Sequence, residues 1–112
     1  MKDFVSLNQN SQFKKLYKRG KSCVKPSLVI YAIHNREGLN RFGITTSKKI
    51  GNAVIRNRAK RRIRELYRMN VQNFKPGFDV CVVARVRTAT EKHEVLVKDF
   101  ESACRNLGLY KI

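Results

Sequence analysis

One stretch, Lys48 to Arg68, constrains this chain more than any other. It reads KKIGNAVIRNRAKRRIRELYR, and only a helix separates its apolar residues from its basic ones. At about 100° per residue, Ile55, Ala59, Ile63, Leu66 and Tyr67 gather within about 120° of arc, a stripe suited to packing on a sheet. The remaining arc holds Arg56, Asn57, Arg58, Lys60, Arg61, Arg62, Arg64 and Arg68, with Glu65 as its only acid. Gly51 and Asn52 read as a turn and an N-cap, so the helix is predicted to begin near Ala53.

That arc is expensive for a helix kept only for solubility. Arg56–Lys60, Lys60–Arg64, Arg64–Arg68 and Arg58–Arg62 are like charges four residues apart, which together cost about 1–2 kcal/mol. Lys48, Lys49, Arg56 and Arg58 crowd the positive end of the helix dipole, where acids are preferred. A solvated face would mix Glu with Lys, whereas here arginine, whose planar fork suits phosphate, dominates. Backbone N–H groups after Ile50-Gly51-Asn52 offer a further anion site, flanked by Lys48 and Lys49. The whole chain leans the same way: 25 Lys and Arg against 8 Asp and Glu give a net charge of +17. Such an excess matches a polyanion, nucleic acid before an anionic membrane surface.

The 112 residues suffice for one domain, and residues 1–112 are read as a single RNA-binding domain. Asn8 to Arg19 is predicted to form a short helix, with Asn8 or Asn10 as cap and Gly20 as stop. Lys21 to Lys25 and Ser27 to His34 are predicted strands. Asn35 to Asn40 reads as the loop of a hairpin returning through Arg41 to Thr46. Phe78 to Arg85 is apolar on both faces and is predicted to be a central strand. Thr88 or Thr90 caps a final helix to about Leu107, with Leu96, Phe100, Ala103, Cys104 and Leu107 as its stripe. The predicted order is α, β, β, β, α, β, α: an α+β fold with helices against one sheet. Cys23, Cys81 and Cys104 lack CxxC spacing and read as reduced core thiols. No apolar run approaches a membrane span, and Met1 to Asn10 lacks a secretory segment, so a cytoplasmic location is expected.

The pattern KKIGNAVIRNRAKRRIRE closely resembles the RNR signature of the protein subunit of bacterial ribonuclease P. Phe13 and Tyr17 in the first helix, LVIYAI in a strand, RFGITTSKK before the signature and VVAR ending at Arg85 extend the resemblance from Leu7 to Tyr110. It implies a single-domain αβββαβα sandwich with a left-handed βαβ crossover through the basic helix, where periodicity alone predicts the usual right-handed one. It also implies binding to a catalytic RNA subunit and to precursor tRNA, whose 5′ leader the holoenzyme, an endoribonuclease, removes. By that resemblance the RNA holds the active site and its Mg²⁺, the protein holds no cofactor tightly, and no protein partner is required. Lys48, Lys49, Arg56, Asn57, Arg58, Lys60, Arg61 and Arg64 would form the RNR face toward the RNA subunit. Phe13, Tyr17, Val29, Tyr31 and Arg85 would line a cleft for the single-stranded leader. Stacking of bases on aromatic rings tolerates any sequence, which suits a leader that differs between tRNAs.

Read without that resemblance, Phe13 and Tyr17 at i,i+4 are read as core residues first. Leu28, Ile30 and Ala32 point to one face of their strand, and Val29, Tyr31 and Ile33 to the other. Both faces are therefore apolar, and one short helix cannot cover a sheet face, so some apolar surface is expected to stay open. A protein nuclease is not expected. His34 and His93 lie apart in sequence, and Asp3, Glu37, Glu65, Asp79, Glu91, Glu94, Asp99 and Glu101 show no metal-ligand spacing. No catalytic residue and no metal ligand is assigned to the protein. The alternative is a small ribosomal or other structural RNA-binding protein, which would not need an open aromatic cleft. A helix-turn-helix DNA reader is disfavoured because the basic helix follows a strand.

Overall fold

The computed structural model describes residues 5–7 and 9–111. Its elements are β1 (Val5–Ser6), α1 (Asn10–Arg19), β2 (Lys21–Val24), β3 (Leu28–His34), β4 (Arg41–Thr45), α2 (Ala53–Asn70), β5 (Phe78–Ala84), α3 (Val86–Thr90) and α4 (His93–Asn106). Single 3₁₀ turns at Lys48–Ile50 and Val71–Asn73 bracket α2. The five strands form one mixed sheet in the order β1-β4-β5-β3-β2.

The sheet order corrects the expected hairpin. β3 and β4 are not neighbours, because β5 lies between them, antiparallel to β3 and parallel to β4. The loop from Asn35 to Asn40 therefore spans a strand instead of turning tightly. Its ends are tied to β5: the Asn35 side chain donates to Leu39 O at 2.9 Å and to Asp79 Oδ1 at 2.8 Å. The physical reason is burial. Val80, Cys81 and Val82 of β5 are completely covered, and only a central strand buries both its faces.

Alternation along β3 sorts the core into two layers. Leu28, Ile30 and Ala32 face a large cluster with Phe42, Val80 and Val82, closed by Ala59, Ile63, Leu66 and Tyr67 of α2 and by Leu96, Phe100, Ala103 and Cys104 of α4. The opposite face carries a smaller cluster, Leu7, Leu16 and Cys81, with Phe13, Tyr31, Ile33 and Val83 packed against it. The helices thus do not all sit against one face: α2 and α4 cover one side of the sheet and α1 covers part of the other.

α2 begins at Ala53 as the sequence indicates, and the Asn52 side chain accepts the Ile55 N–H at 3.0 Å. Ile55 is not in the stripe. It is 37% exposed and lies over Gly51, where a Cβ would come within 2.9 Å of its side chain. The predicted last helix is two helices. α3 starts after Arg85, whose N–H donates to Thr88 Oγ1 at 2.9 Å, and the chain breaks at Glu91–Lys92 before α4. Neither threonine is an N-cap: those of α3 and α4 are Arg85 and Lys92, while Thr88 is buried inside α3 with its hydroxyl donating to Ser27 O, and Thr90 is the last residue of α3. β1, a two-residue strand parallel to β4, has no counterpart in the predicted order. The N-cap of α1 is Gln9 and Asn10 is its first residue; the other candidate, Asn8, lies outside the described residues. All three cysteines are free, Cys81 and Cys104 buried and Cys23 half-buried.

Candidate nucleic-acid interface

The parallel pairing of β4 with β5 sets Thr45 opposite Val83. Both strands therefore end at one edge of the sheet, and the segment after each is basic. After β4 come Lys48 and Lys49, exposed in the 3₁₀ turn, and then the start of α2. After β5 comes Arg85, followed by Arg87 in α3.

On α2, Asn57, Arg58, Arg61 and Arg64 are exposed and Arg56 and Lys60 half-buried, so none of the RNR residues named on this helix lies in the core. Lys60 and Arg64 also lean over the edge of β4, where with Ser6, Leu7, Phe42, Gly43 and Ile44 they line a recess of about 180 Å³. Two arginines of the arc are set to other tasks. Arg62 donates to Thr88 O at 3.1 Å and to Glu91 O at 2.6 Å, closing the end of α3, and its burial pulls its pKa down. Arg68 pairs with Glu65 at 3.2 Å. At the N-terminus of α2, Asn52 already occupies the Ile55 N–H, so the anion site expected there is reduced to the first backbone N–H groups, beside Lys48 and Lys49.

The second surface lies on the α1 side of the sheet. Register places Thr45, Val83, Val29 and Val24 in one row across four strands, and Gly43, Cys81, Tyr31 and Ser22 in the next. α1 sits over the second row: Leu16 is fully buried there, and the Phe13 ring lies so close to Gly43 that a Cβ would come within 2.8 Å of it. The first row is left beside the helix, with Val29 and Val83 half-buried and Val24 64% exposed. Tyr17 stands at the boundary, 39% exposed. Its ring meets Tyr31 edge-on at 4.9 Å and lies 6.4 Å from Phe13. The Tyr17 hydroxyl shares a hydrogen bond with Thr45 Oγ1 at 2.5 Å and contacts Cys81 Sγ at 3.5 Å. Burial, then the bond with Cys81, pushes the phenol up to about 12.

The row runs out into a cleft of about 670 Å³ lined by Val24, Lys25, Pro26, Arg85, Val86 and Arg87. The Arg85 guanidinium is steadied by Lys25 O at 2.9 Å. Tyr17, Tyr31, Val29 and Arg85 therefore follow one path across the sheet. Phe13 is set back, half in the small core and half at the rim. Thr45, Val83, Val24 and Arg87 belong to the same path. Sequence reasoning missed them because strand register, which no local pattern reveals, brings Thr45, Val83 and Val24 there, while Arg87 arrives on α3. Among the described residues, no three His, Cys, Asp or Glu side chains converge in a way that could hold a metal ion. No helix among them is long and apolar enough to cross a membrane.

A basic helix face beside an aromatic and valine path, on a mixed α+β scaffold, is the architecture of an RNA-binding protein. The ribonuclease P family model matches residues 1–108, and the chain belongs to the ribonuclease P protein family. It is 41% identical over 102 residues to the ribonuclease P protein component of Clostridioides difficile, covering 90% of this chain and 86% of that one. The corresponding protein of Clostridium botulinum (strain Langeland) is 43% identical over 109 residues, covering 93% and 95%. Among solved structures, the RNase P protein of Staphylococcus aureus superposes with a TM-score of 0.84 at 30% identity, over 95% of this chain and 97% of that one. That of Thermotoga maritima gives 0.76 at 27%, over 87% and 92%. The protein is thus a subunit of the ribonucleoprotein endonuclease that processes tRNA precursors, and the ribosomal alternative is not favoured.

Proposed function

We propose that the two surfaces divide the work of the holoenzyme. The RNR face, Lys48, Lys49, Arg56, Asn57, Arg58, Lys60, Arg61 and Arg64, neutralises phosphates of the catalytic RNA subunit. The path along Tyr17, Tyr31, Val29 and Arg85, with Phe13 at its rim, receives the single-stranded 5′ leader of precursor tRNA. The observation that carries this reading is the row beside α1, valine over most of its length, half-buried to exposed, aromatic at its border and cationic where it ends. Rings there stack on any base, at about 1–3 kcal/mol each, while Arg85 and Lys25 meet backbone phosphate.

In this reading the protein performs no bond cleavage. The RNA holds the reactive phosphate and its Mg²⁺, and the protein holds no cofactor and works in the cytoplasm without a protein partner. Its positive charge lowers the repulsion between two polyanions, which favours substrate binding and the RNA's own retention of Mg²⁺. Precursor cleavage by the cognate RNA at low Mg²⁺ tests it. Added protein is expected to accelerate cleavage severalfold, and protein alone to give none. Unchanged rates on addition would refute the assignment. Phe13→Ala and Tyr31→Ala are expected to narrow the preference for precursor over mature tRNA, whereas full discrimination by both variants would return these rings to the core.

A further inference from the structure

The Tyr17 ring is exposed enough to meet a ligand, yet its hydroxyl is engaged by the protein's own groups. It turns down toward the sheet, where Thr45 Oγ1 lies at 2.5 Å and Cys81 Sγ at 3.5 Å. The Thr45 hydroxyl is itself 3.5 Å from Cys81 Sγ, so three polar atoms from α1, β4 and β5 close on one another. Thr45 and Cys81 belong to neighbouring rows of the sheet, and Tyr17 reaches across the step between them. Burial pushes the Cys81 thiol up, so it stays a neutral partner. The ring plane is fixed from the side as well, by Tyr31 standing at 81° to it.

We propose that Thr45 is a positioning residue for leader binding: its hydroxyl locks the Tyr17 ring in the orientation that the leader stacks on. This rests on the reading of the α1-side path as the leader site. The lock has two consequences. A ring held in place before binding loses no rotamer freedom when a base arrives. And the only polar atom of the ring is occupied inside the fold, so the surface offered to a base carries no hydrogen-bonding preference. Thr45 touches no reacting atom and acts through Tyr17.

The test measures holoenzyme affinity for a precursor with a leader of several nucleotides and for the mature tRNA without one. Thr45→Val keeps the shape of the side chain and removes the hydroxyl. It is expected to weaken precursor binding about two- to tenfold, the range for one side chain that must be ordered on binding. Mature tRNA binding is expected to stay unchanged. Tyr17→Phe should reproduce the loss, Thr45→Ser should restore affinity, and the double variant Tyr17→Phe/Thr45→Val should be no worse than either single one. Equal losses on both RNAs, or additive effects in the double variant, would overturn the lock. So would normal precursor binding by Thr45→Val while Tyr17→Ala is impaired, an outcome that leaves the leader site standing. If Tyr17→Ala itself binds precursor normally, the underlying reading falls and the lock with it.

Discussion

Gly43 occupies a position where the sheet and α1 touch, and the contact tolerates no side chain. A Cβ there would come within 2.8 Å of two Phe13 ring carbons and 3.0 Å of Leu7 Cβ. Gly43→Ala is expected to push Phe13 and the start of α1 off the sheet, costing about 1–3 kcal/mol, as overpacking does. A lowered urea midpoint together with a reduced precursor preference would show it. Asp79 works by charge. It is buried, accepts from Arg41 Nε at 2.7 Å and Nη2 at 3.0 Å, and takes a third bond from Asn35 at 2.8 Å. Asp79→Ala is expected to cost about 3 kcal/mol in urea unfolding, the low end for a broken buried pair because Arg41 keeps some solvent and Glu37. Cys104 gives stability a pH dependence. Burial raises its thiol from 9.0 to about 12, so the folded state keeps a proton that the unfolded state releases above pH 9. The thiol's contribution is therefore whole below pH 9 and falls between pH 9 and 12, by up to about 1.4 kcal/mol per pH unit. Cys104→Ala is expected to flatten that alkaline slope by about one proton, read from urea midpoints at several pH values.

At the scale of elements, α2 shows that arginines alike in sequence do different work. Arg56, half-buried, and Arg58, exposed, bind no α3 carbonyl, whereas Arg62 closes the end of α3 through Thr88 O and Glu91 O. Arg56→Ala or Arg58→Ala is expected to leave the urea midpoint within about 0.5 kcal/mol. Each is expected to lower the salt slope of RNA affinity by about 0.7–0.9, one phosphate's share. Arg62→Ala should do the reverse, losing about 1–3 kcal/mol of stability for a charged hydrogen-bonding group removed, at nearly constant salt slope. Salt titrations and urea curves on the same variants separate the two classes. The same division marks what sequence makes legible. The start of α2 is local chemistry, a glycine and an asparagine cap, and it was readable to the residue. The stripe of α4 and the central place of β5 were readable too, because burial on both sides leaves an unbroken apolar run. The break between α3 and α4 was not, since the groups that stabilise it, Arg62 and Ser27, come from elsewhere in the chain. Nor was the sheet order, because a six-residue loop looks the same whether it turns a hairpin or steps over a strand. For the candidate site, the basic arc of α2 was legible from helix periodicity, though Arg62 serves α3 and Arg68 pairs with Glu65. The α1-side path depends on register across four strands, so Val24, Val83 and Thr45 were invisible until the strands were paired.

At the scale of the whole molecule, charge is the organising quantity. A net +17 is packed within a radius of gyration of 13.0 Å, and three of the eight acids, Glu37, Asp79 and Glu65, are already engaged by Arg41 and Arg68. The parallel β4–β5 pair then delivers Lys48, Lys49, Arg85 and Arg87 to one edge, next to the start of α2. Folding concentrates cations that an unfolded chain would spread, so the free protein carries self-repulsion that a polyanion relieves. Folding and RNA binding must therefore respond to salt with opposite signs. Raising NaCl from about 50 to about 200 mM is expected to raise the thermal midpoint of the free protein, because screening weakens the repulsion. Over the same interval, affinity for the RNA subunit is expected to fall about 10³- to 10⁵-fold, the span for six to ten phosphate contacts. The seven cations of the RNR face lie within that count. Thermal melts of the free protein and binding isotherms across one salt series check both. A free protein that loses stability as salt rises would mean that its charges are satisfied within the fold, and the basic face would then no longer need a polynucleotide to account for it.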